Sequence, residues 1–276
     1  MHASTSRPQP QPAYGALSGV MPDHVYEFSG RGFLFTSPWV HTTTRRHAAT
    51  LLLSASGEPL VVRSGRTQVE APAVLVPPWV ARSLQAHDRG LVSINYTPHH
   101  WAFRPLRHLG GDGLHVLDAA AFRALHGLMA RAYAGEMSRA EAERLGDDCA
   151  SLALAQLARE HAGAARTVRR PASALLDIVD TDDNPTLAEV AGRMHLSYDR
   201  ASHAITSTLG LSLQSYQCWR KMARVWSPLL SDDSLTEAAQ TGGFSDSAHL
   251  ARTWKQKLGT PPSYIRGQGK VRVITA

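Results

Sequence analysis

Hydrophobic and polar positions form short alternating or apolar runs between residues 30 and about 97. Turn-forming residues at 56–58, 64–66 and 77–78 separate these runs, which read GFLFT, AATLLLS, PLVVR, AVLVP and LVSINY. Such runs are typical of β-strands, and several at close spacing favour a sandwich or a small barrel. We therefore predict a β-rich N-terminal region.

The apolar spacing changes to three and four residues after Asp118. Residues 119–134 and 139–161 are rich in Ala, Leu, Arg and Glu, and Leu145, Cys149 and Leu152 share one helical face. This predicts two neighbouring antiparallel helices. The following segment, 162–171, mixes small and basic residues and ends at a proline, as interdomain linkers often do.

These changes of pattern divide the chain. We predict a disordered leader at 1–25, where Pro and Gln stand in place of the apolar stretch of a signal peptide. A β-rich domain at 26–162 includes the helical pair at about 118–162. A linker at 163–170 precedes an all-α domain at 171–266, and a tail follows at 267–276.

Helix-start signals occur in pairs after Pro171. Thr186 with a glutamate three residues later forms a capping box, and Ser234 repeats it. Ser197 and Ser245 are predicted to cap the helix that follows each box. A longer helix is predicted between the two pairs, over 213–230.

These paired signals belong to an internal repeat. Residues 186–197 match 234–245 at an offset of 48, and after the second cap the offset becomes 49, which we attribute to one inserted residue. Each copy predicts a short helix, a tight turn and a longer helix closed by glycine, over 186–209 and 234–258. This order is a helix-turn-helix. The turns require a positive φ, which Gly243 adopts easily and His195 only with strain.

Charge is concentrated in the same region. The chain carries +6 overall, with 11 basic and 5 acidic residues from Arg193 onward and 18 of each before it. This distribution favours a polyanionic partner for the C-terminal part. The two cysteines lack metal-ligand spacing and are predicted to be free thiols. The sequence shows neither a membrane span nor a catalytic or nucleotide-binding motif, so we expect no enzyme activity, no cofactor and a cytoplasmic, nucleoid-associated protein.

Residues 234–266 resemble the signature of the AraC/XylS family of transcription regulators. The landmarks of that signature are Gly243-Phe244-Ser245, Arg252, Lys255, Gly259, Pro262 and Arg266. The resemblance implies an α+β chain: a cupin-like sensing or dimerisation domain, then two helix-turn-helix units joined by a linker helix. It also implies a sequence-specific activator that binds double-stranded DNA and RNA polymerase. A homodimer and a small-molecule effector are further features that the resemblance allows.

The resemblance implies particular DNA contacts. Base or groove contacts fall on Tyr198, Asp199, Ser202 and His203 in the first unit and on Ser247, Ala248, His249 and Arg252 in the second; phosphate contacts fall on Arg220, Lys221, Lys255 and Arg266. Arg252 is the strongest candidate, because a guanidinium can bind guanine in a bidentate manner. The first unit departs from the family pattern at Ala201, His203, Ile205 and Trp226, and Pro228 should kink the linker helix or end it early.

The N-terminal domain leaves two other function classes open. A metal-dependent cupin enzyme would use histidines such as His41, His47, His87, His99 and His100, but their spacing lacks a His-x-His pair, so surface or core positions explain them better. His47, Trp79 and Arg82 are predicted instead to line a pocket for an anionic or aromatic effector. A protein-binding adaptor is the second alternative, and the salt dependence of binding separates it from a DNA-binding protein.

Overall fold

The computed structural model describes residues 22–110, 113–160, 173–181, 184–231, 233–266 and 271–274. Its N-terminal half is β-rich and its C-terminal half helical, which confirms the predicted α+β class. The strands are β1 (Asp23–Glu27), β2 (Gly32–Thr44), β3 (Ala49–Ser54), β4 (Leu60–Ser64), β5 (Thr67–Ala71), β6 (Ala73–Val76), β7 (Arg82–Tyr96), β8 (His115–Val116) and β9 (Val271–Ile274).

Two long strands organise the sheet, whose order is β8-β6-β3-β7-β2-β1-β9. β2 and β7 pair from Gly32 to Thr44, and their register shifts between Ser37 and Trp39. The intervening residue is Pro38, which cannot donate a ladder hydrogen bond and so favours an irregularity there. One half of β7 pairs with β3 and the other with β4, so the sheet closes around an apolar core that includes Leu52, Val62 and Val76.

Helices cover the other face of this sheet. They are α1 (Phe103–Gly110), a 3-10 helix (Ala119–Leu125), α2 (His126–Ala134) and α3 (Arg139–Glu160). The segment predicted as one helix over 119–134 is divided, because Asp118 caps a 3-10 turn before α2 begins. Leu145, Cys149 and Leu157 of α3 are buried in the largest core cluster.

The C-terminal helices are α4 (Ser173–Thr181), α5 (Leu187–Arg193), α6 (Tyr198–Leu209), α7 (Leu213–Arg224), α8 (Trp226–Leu230), α9 (Leu235–Thr241), α10 (Ser247–Leu258) and α11 (Pro262–Arg266). The predicted linker helix is interrupted at Val225. Pro228 explains the break, since it lacks the N–H that would bond to the carbonyl of Arg224; at the third position of α8 the missing donor is tolerated.

The two ends of the described chain differ from the sequence-based expectation. β1 begins at Asp23, inside the range predicted as a leader, and β9 lies in the range predicted as a tail. The two strands pair in parallel, with Asp23 opposite Val271 and Tyr26 opposite Ile274. Both are too short to stand out in the pattern; β1 pairs with β2 as well as with β9, and the pairing of β1 with β9 joins segments from opposite ends of the chain. The predicted linker at 163–170 and residues 1–21 lie outside the described residues.

Candidate functional site

The first helix-turn-helix unit consists of α5 and α6. Thr186 and Glu189 form the predicted capping box: each side chain accepts from the backbone N–H of the other residue. His195 adopts a φ of 52° in the turn, and the Leu196 N–H donates to the Ala191 carbonyl at 2.9 Å. Ser197 caps α6 as predicted.

The second unit, α9 and α10, repeats this construction. Ser234 and Glu237 form the capping box, Gly243 has a φ of 74°, and the Phe244 N–H donates to the Ala239 carbonyl at 2.9 Å. The two turns therefore have matching conformations. Because Gly243 carries no side chain, only the first unit bears the strain of a positive φ.

The cap of α10 corrects one prediction. Asp246, and not Ser245, is the N-cap: its Oδ1 accepts from the His249 N–H at 2.6 Å, while the Ser245 hydroxyl lies 3.0 Å from the His249 ring. The inserted residue therefore precedes the cap, and Ser197 corresponds to Asp246 at an offset of 49. An aspartate accepts this bond better than serine, since it is charged at the positive end of the helix dipole.

The predicted groove contacts lie on the outer faces of α6 and α10. Tyr198 is 61% exposed, although it is a large aromatic side chain. Asp199, His203, Ala248 and Arg252 are exposed, and Ser202, Ser247 and His249 are half-buried. The opposite faces are buried in the core of each unit, through Ala201, Ile205 and Leu209 in α6 and through Leu250 and Trp254 in α10.

The predicted phosphate contacts fall into two groups. Arg220 donates to the backbone carbonyls of Val179 and Asp180, and Arg266 donates to the Asp233 carbonyl, so both guanidiniums already bind carbonyl oxygens within the domain. Lys221 is half-buried and Lys255 is exposed. The two lysines are thus better placed than the two arginines to meet a phosphate.

Both units also contact the N-terminal domain, which the sequence did not predict. At the end of α6, Arg104 of α1 donates to the Ser207 carbonyl at 2.6 Å. At the end of α10, the Arg45 N–H donates to the Gln256 carbonyl at 3.2 Å. Lys257 lies 4.4 Å from the centre of the Trp79 ring, in a cation–π contact. The C-terminal ends of α6 and α10 therefore both contact the β-rich domain.

Two adjoining cavities lie between the domains, with volumes of about 740 and 690 Å³ including the solvent at their mouths. They share Phe33, Arg46, Trp226 and Leu258, and Phe33 stacks on Trp226 at 5.9 Å between ring centres. Arg82 lines only the first cavity and His47 only the second.

The three residues predicted to line one effector pocket are thus divided, and Trp79 lines neither of these two cavities. His47 packs against Trp79 at 4.4 Å between ring centres, next to Lys257. Burial, together with the Lys257 charge, lowers the pKa of His47 to about 3, so its ring is neutral. Arg82 lies apart from this pair, near Arg46. The sequence did not indicate Arg46, because a single arginine in a loop belongs to no recognisable pattern.

The comparisons with known proteins bear on both halves of the chain. Residues 190–268 match a family described as a helix-turn-helix domain, of the AraC type. This match covers α6 to α11, the part that carries the resemblance in the sequence. The C-terminal part of the chain therefore carries a helix-turn-helix domain, and this supports the AraC-type transcription regulator that the resemblance implies.

The fold of the chain is similar to that of ToxT from Vibrio cholerae. For an apo variant from strain SCE256 the TM-score is 0.57 at 10% identity, over 84% of this chain and 96% of that chain. For ToxT from V. cholerae O395 it is 0.52 at 13% identity, over 87% and 95%. For wild-type ToxT with an unsaturated fatty acid bound it is 0.51 at 10% identity, over 83% and 89%. No curated protein sequence matches the chain.

The histidines of the regulator occupy separate environments. His41 is exposed and His47 buried. His99 contacts the Tyr216 hydroxyl at 2.7 Å, and His100 accepts from the Ala102 N–H at 3.1 Å; the His87 side chain lies outside the described residues. Within the described ranges, His, Cys, Asp and Glu do not come together in threes as a metal site requires, and no helix there is long and apolar enough to cross a membrane.

Proposed function

We propose that this regulator binds operator DNA through the outer faces of α6 and α10, placed in two successive stretches of major groove. The observation that carries the proposal is the matched exposure of the two helices. At the offset of 49, Asp199 corresponds to Ala248 and His203 to Arg252, and all four are exposed on the side away from the buried residues. Tyr198 corresponds to Ser247 as the first residue of each helix. A helix that docks in a groove needs such a face at its N-terminal end.

The two units have different chemistry on these faces. Arg252 offers a bidentate donor for guanine, with Lys255 one turn further along for phosphate. The first unit offers an imidazole at the equivalent of Arg252 and a carboxylate, Asp199, that repels phosphate. We therefore propose that the second unit supplies most of the base discrimination and that the first adds a weaker contact.

Selection of genomic DNA fragments by the purified full-length chain, followed by sequencing, tests this proposal. We expect an enriched motif, and we expect affinity for it in fluorescence anisotropy to fall steeply as salt rises, because phosphate contacts release counterions. Absence of enrichment, or binding of a protein partner that salt leaves unchanged, would instead indicate the adaptor function.

We further propose that the interdomain cavities hold a small-molecule effector. The cavities are mainly apolar, and their walls come from the β-rich domain, from α7, α8 and α11, and from the C-terminal half of α10. The similarity in fold to ToxT, for which a structure with a bound fatty acid exists, supports the same idea. A ligand here would touch both domains and could thereby alter how the two units are held.

The remaining steps of the proposed mechanism follow the family resemblance. We propose activation through contact with RNA polymerase, with the β-rich domain forming a homodimer, and association with the nucleoid through DNA. Transcription in vitro from a promoter carrying the selected motif, with purified polymerase, measures the sign of regulation. A decrease in transcript would make the protein a repressor.

A further inference from the structure

The β-rich domain contacts equivalent residues near the ends of α6 and α10. At the offset of 49 that relates the two helices, Ser207 corresponds to Gln256. The Arg104 guanidinium donates to the Ser207 carbonyl at 2.6 Å, and the Arg45 backbone N–H donates to the Gln256 carbonyl at 3.2 Å. An arginine of the β-rich domain therefore lies at the same position on each helix.

This position is at the end of an exposed stripe that follows each helix from its first turn to its last. Four pairs of residues related by the offset of 49 form the stripe. They are Asp199, His203, Thr206 and Ser207 in α6 and Ala248, Arg252, Lys255 and Gln256 in α10, and all eight are exposed. The face that we propose to meet DNA thus ends, in both helices, beside an arginine of the other domain.

The lengths of the two helices place these ends at the edge of a groove. Each helix has 12 residues, which corresponds to a length of about 18 Å. The major groove of B-DNA is about 12 Å wide. A helix that crosses the groove with its first turn against the bases therefore has its last turn beside the phosphates that border the groove.

Both arginines retain donors for a further partner. Arg45 is exposed, and its Nε donates to the Trp79 carbonyl at 2.9 Å. Arg104 is half-buried and uses one terminal nitrogen for the Ser207 carbonyl. Because a guanidinium carries five N–H groups, each side chain can bind a carbonyl within the protein and a phosphate outside it at the same time.

The surroundings of Arg45 carry positive charge. Arg45 and Lys257 lie 5.7 and 4.4 Å from the centre of the Trp79 ring, and the Arg45 charge, after burial, contributes to lowering the pKa of Lys257. Within the described ranges, neither of the two cations forms an ion pair with a carboxylate. The end of α10 is thus suited to an anion.

Trp79 holds Arg45 in this place at a conformational cost. Its φ is 70°, a value that a bulky residue rarely adopts. In this conformation its N–H donates to the Arg46 carbonyl at 2.9 Å, while its own carbonyl accepts from Arg45. Backbone strain of this kind is concentrated at functional sites, where the surrounding structure maintains it.

We propose that Arg45 and Arg104 bind phosphates of the operator backbone, one beside the end of each helix, so that the β-rich domain forms part of the DNA interface. The forked donors of guanidinium match two phosphate oxygens. Phosphate contacts carry no base information, so the two arginines add affinity and fix the orientation of the duplex. This inference rests on the proposed DNA-binding function and extends it to the other domain.

The salt dependence of DNA binding by the full-length chain tests this inference. Fluorescence anisotropy with the enriched motif is measured at several salt concentrations for wild type, Arg45→Gln, Arg104→Gln and the double variant. We expect each single change to reduce the slope of log affinity against log salt by about 0.9, and the double change to reduce it by about 1.8, because phosphate contacts are lost. Affinity for unrelated DNA should fall by the same factor as affinity for the motif.

The choice of variants separates a phosphate contact from a structural role. The Arg45 bond to Gln256 comes from the backbone and survives the substitution, and glutamine at 104 keeps an amide that can donate to the Ser207 carbonyl. Arg45→Lys and Arg104→Lys keep the charge and should keep the wild-type slope. An arginine that only supports the end of a helix would lower the Tm on substitution and leave the slope unchanged.

Arg123→Gln is the matched control, since Arg123 is an exposed arginine of the same domain that lies in the 3-10 helix. The inference is overturned if Arg45→Gln or Arg104→Gln keeps the wild-type slope, or if Arg123→Gln reduces the slope equally. In both cases the wild-type protein still binds its motif with a steep salt dependence. Failure of the proposed function is different, because the wild-type protein itself then shows no such binding.

Discussion

Arg252 and His203 occupy equivalent exposed positions of α10 and α6, yet they offer different numbers of donors to a groove. Arginine presents five N–H donors in a fixed fork, whereas an imidazole has at most two. At the scale of single residues, the two units therefore differ in how much sequence they can read.

We expect Arg252→Ala to weaken specific DNA binding by about 1–3 kcal/mol and to relax base preference at one position. His203→Ala should have a smaller effect. Anisotropy titrations with the selected motif and its single-base variants measure both. Arg123→Ala keeps the change of charge but lies in the 3-10 helix of the β-rich domain; an equal loss of affinity in this control would point to net charge instead.

Asp23 is a buried acid whose titration should change the free energy of unfolding as the pH changes. Burial raises its pKa from 3.8 to about 6, against opposing hydrogen bonds from Tyr264 and Ser37. The folded protein thus holds this proton more tightly than the unfolded chain. The carboxylate therefore destabilises the fold above about pH 6, and this contribution disappears as the pH falls toward about 4.

Asp23→Asn removes this titration and keeps an oxygen that can accept from Tyr264. We expect the variant to gain stability relative to wild type as the pH rises from about 4 to about 6.5, because only the wild type develops a buried charge. Denaturant unfolding across that range measures the difference. A constant difference between the two proteins at every pH would show that Asp23 does not titrate there.

At the scale of elements, the helix starts illustrate what a sequence can and cannot specify. Capping boxes, Gly caps and the break near Pro228 depend on residues within one turn of each other, and these features were predicted correctly. The cap of α10 was placed one residue early, because Ser245 and Asp246 are both good N-caps and the repeat was aligned on the serine. The pairing of β1 with β9 and the approach of Arg46 to Arg82 depend on distant segments, so no local pattern indicates them.

The position of the α10 cap can be tested by amide hydrogen exchange. Asp246→Ala should speed exchange at the His249 N–H, because that group loses its acceptor at 2.6 Å. Ser245→Ala should leave this amide close to wild type. If the serine variant has the larger effect, Ser245 is the cap and the offset of 49 is wrong for this position.

At the scale of the whole molecule, Gly259 connects the end of α10 to the sheet. Its φ is 85°, and an added methyl group would contact Thr42 and Thr44 of β2. The positive φ and the lack of space for a side chain thus both require glycine at this position. The position of the second unit against the β-rich domain depends on this close approach.

Gly259→Ala should therefore loosen the interface between the domains, in addition to a backbone cost of about 1–2 kcal/mol. The Arg45 amide, which donates to Gln256 across the interface, should exchange faster. Gly57→Ala is the matched control, with a φ of 81° and nothing within 4 Å of the added carbon. The interface argument fails if the two variants expose the Arg45 amide equally.

The parallel pairing of β9 with β1 makes the helical domain a closed loop of the chain, with one end joined through residues 161–172 and the other through the sheet. If β9 separates from β1, the helical domain remains attached to the β-rich domain by the peptide chain. The local concentration of β9 near β1 therefore stays high. Opening and closing would then be a first-order process, independent of how many copies of the protein are present. An effector that acts on this contact would therefore change the same fraction of the protein molecules whether the protein is scarce or abundant.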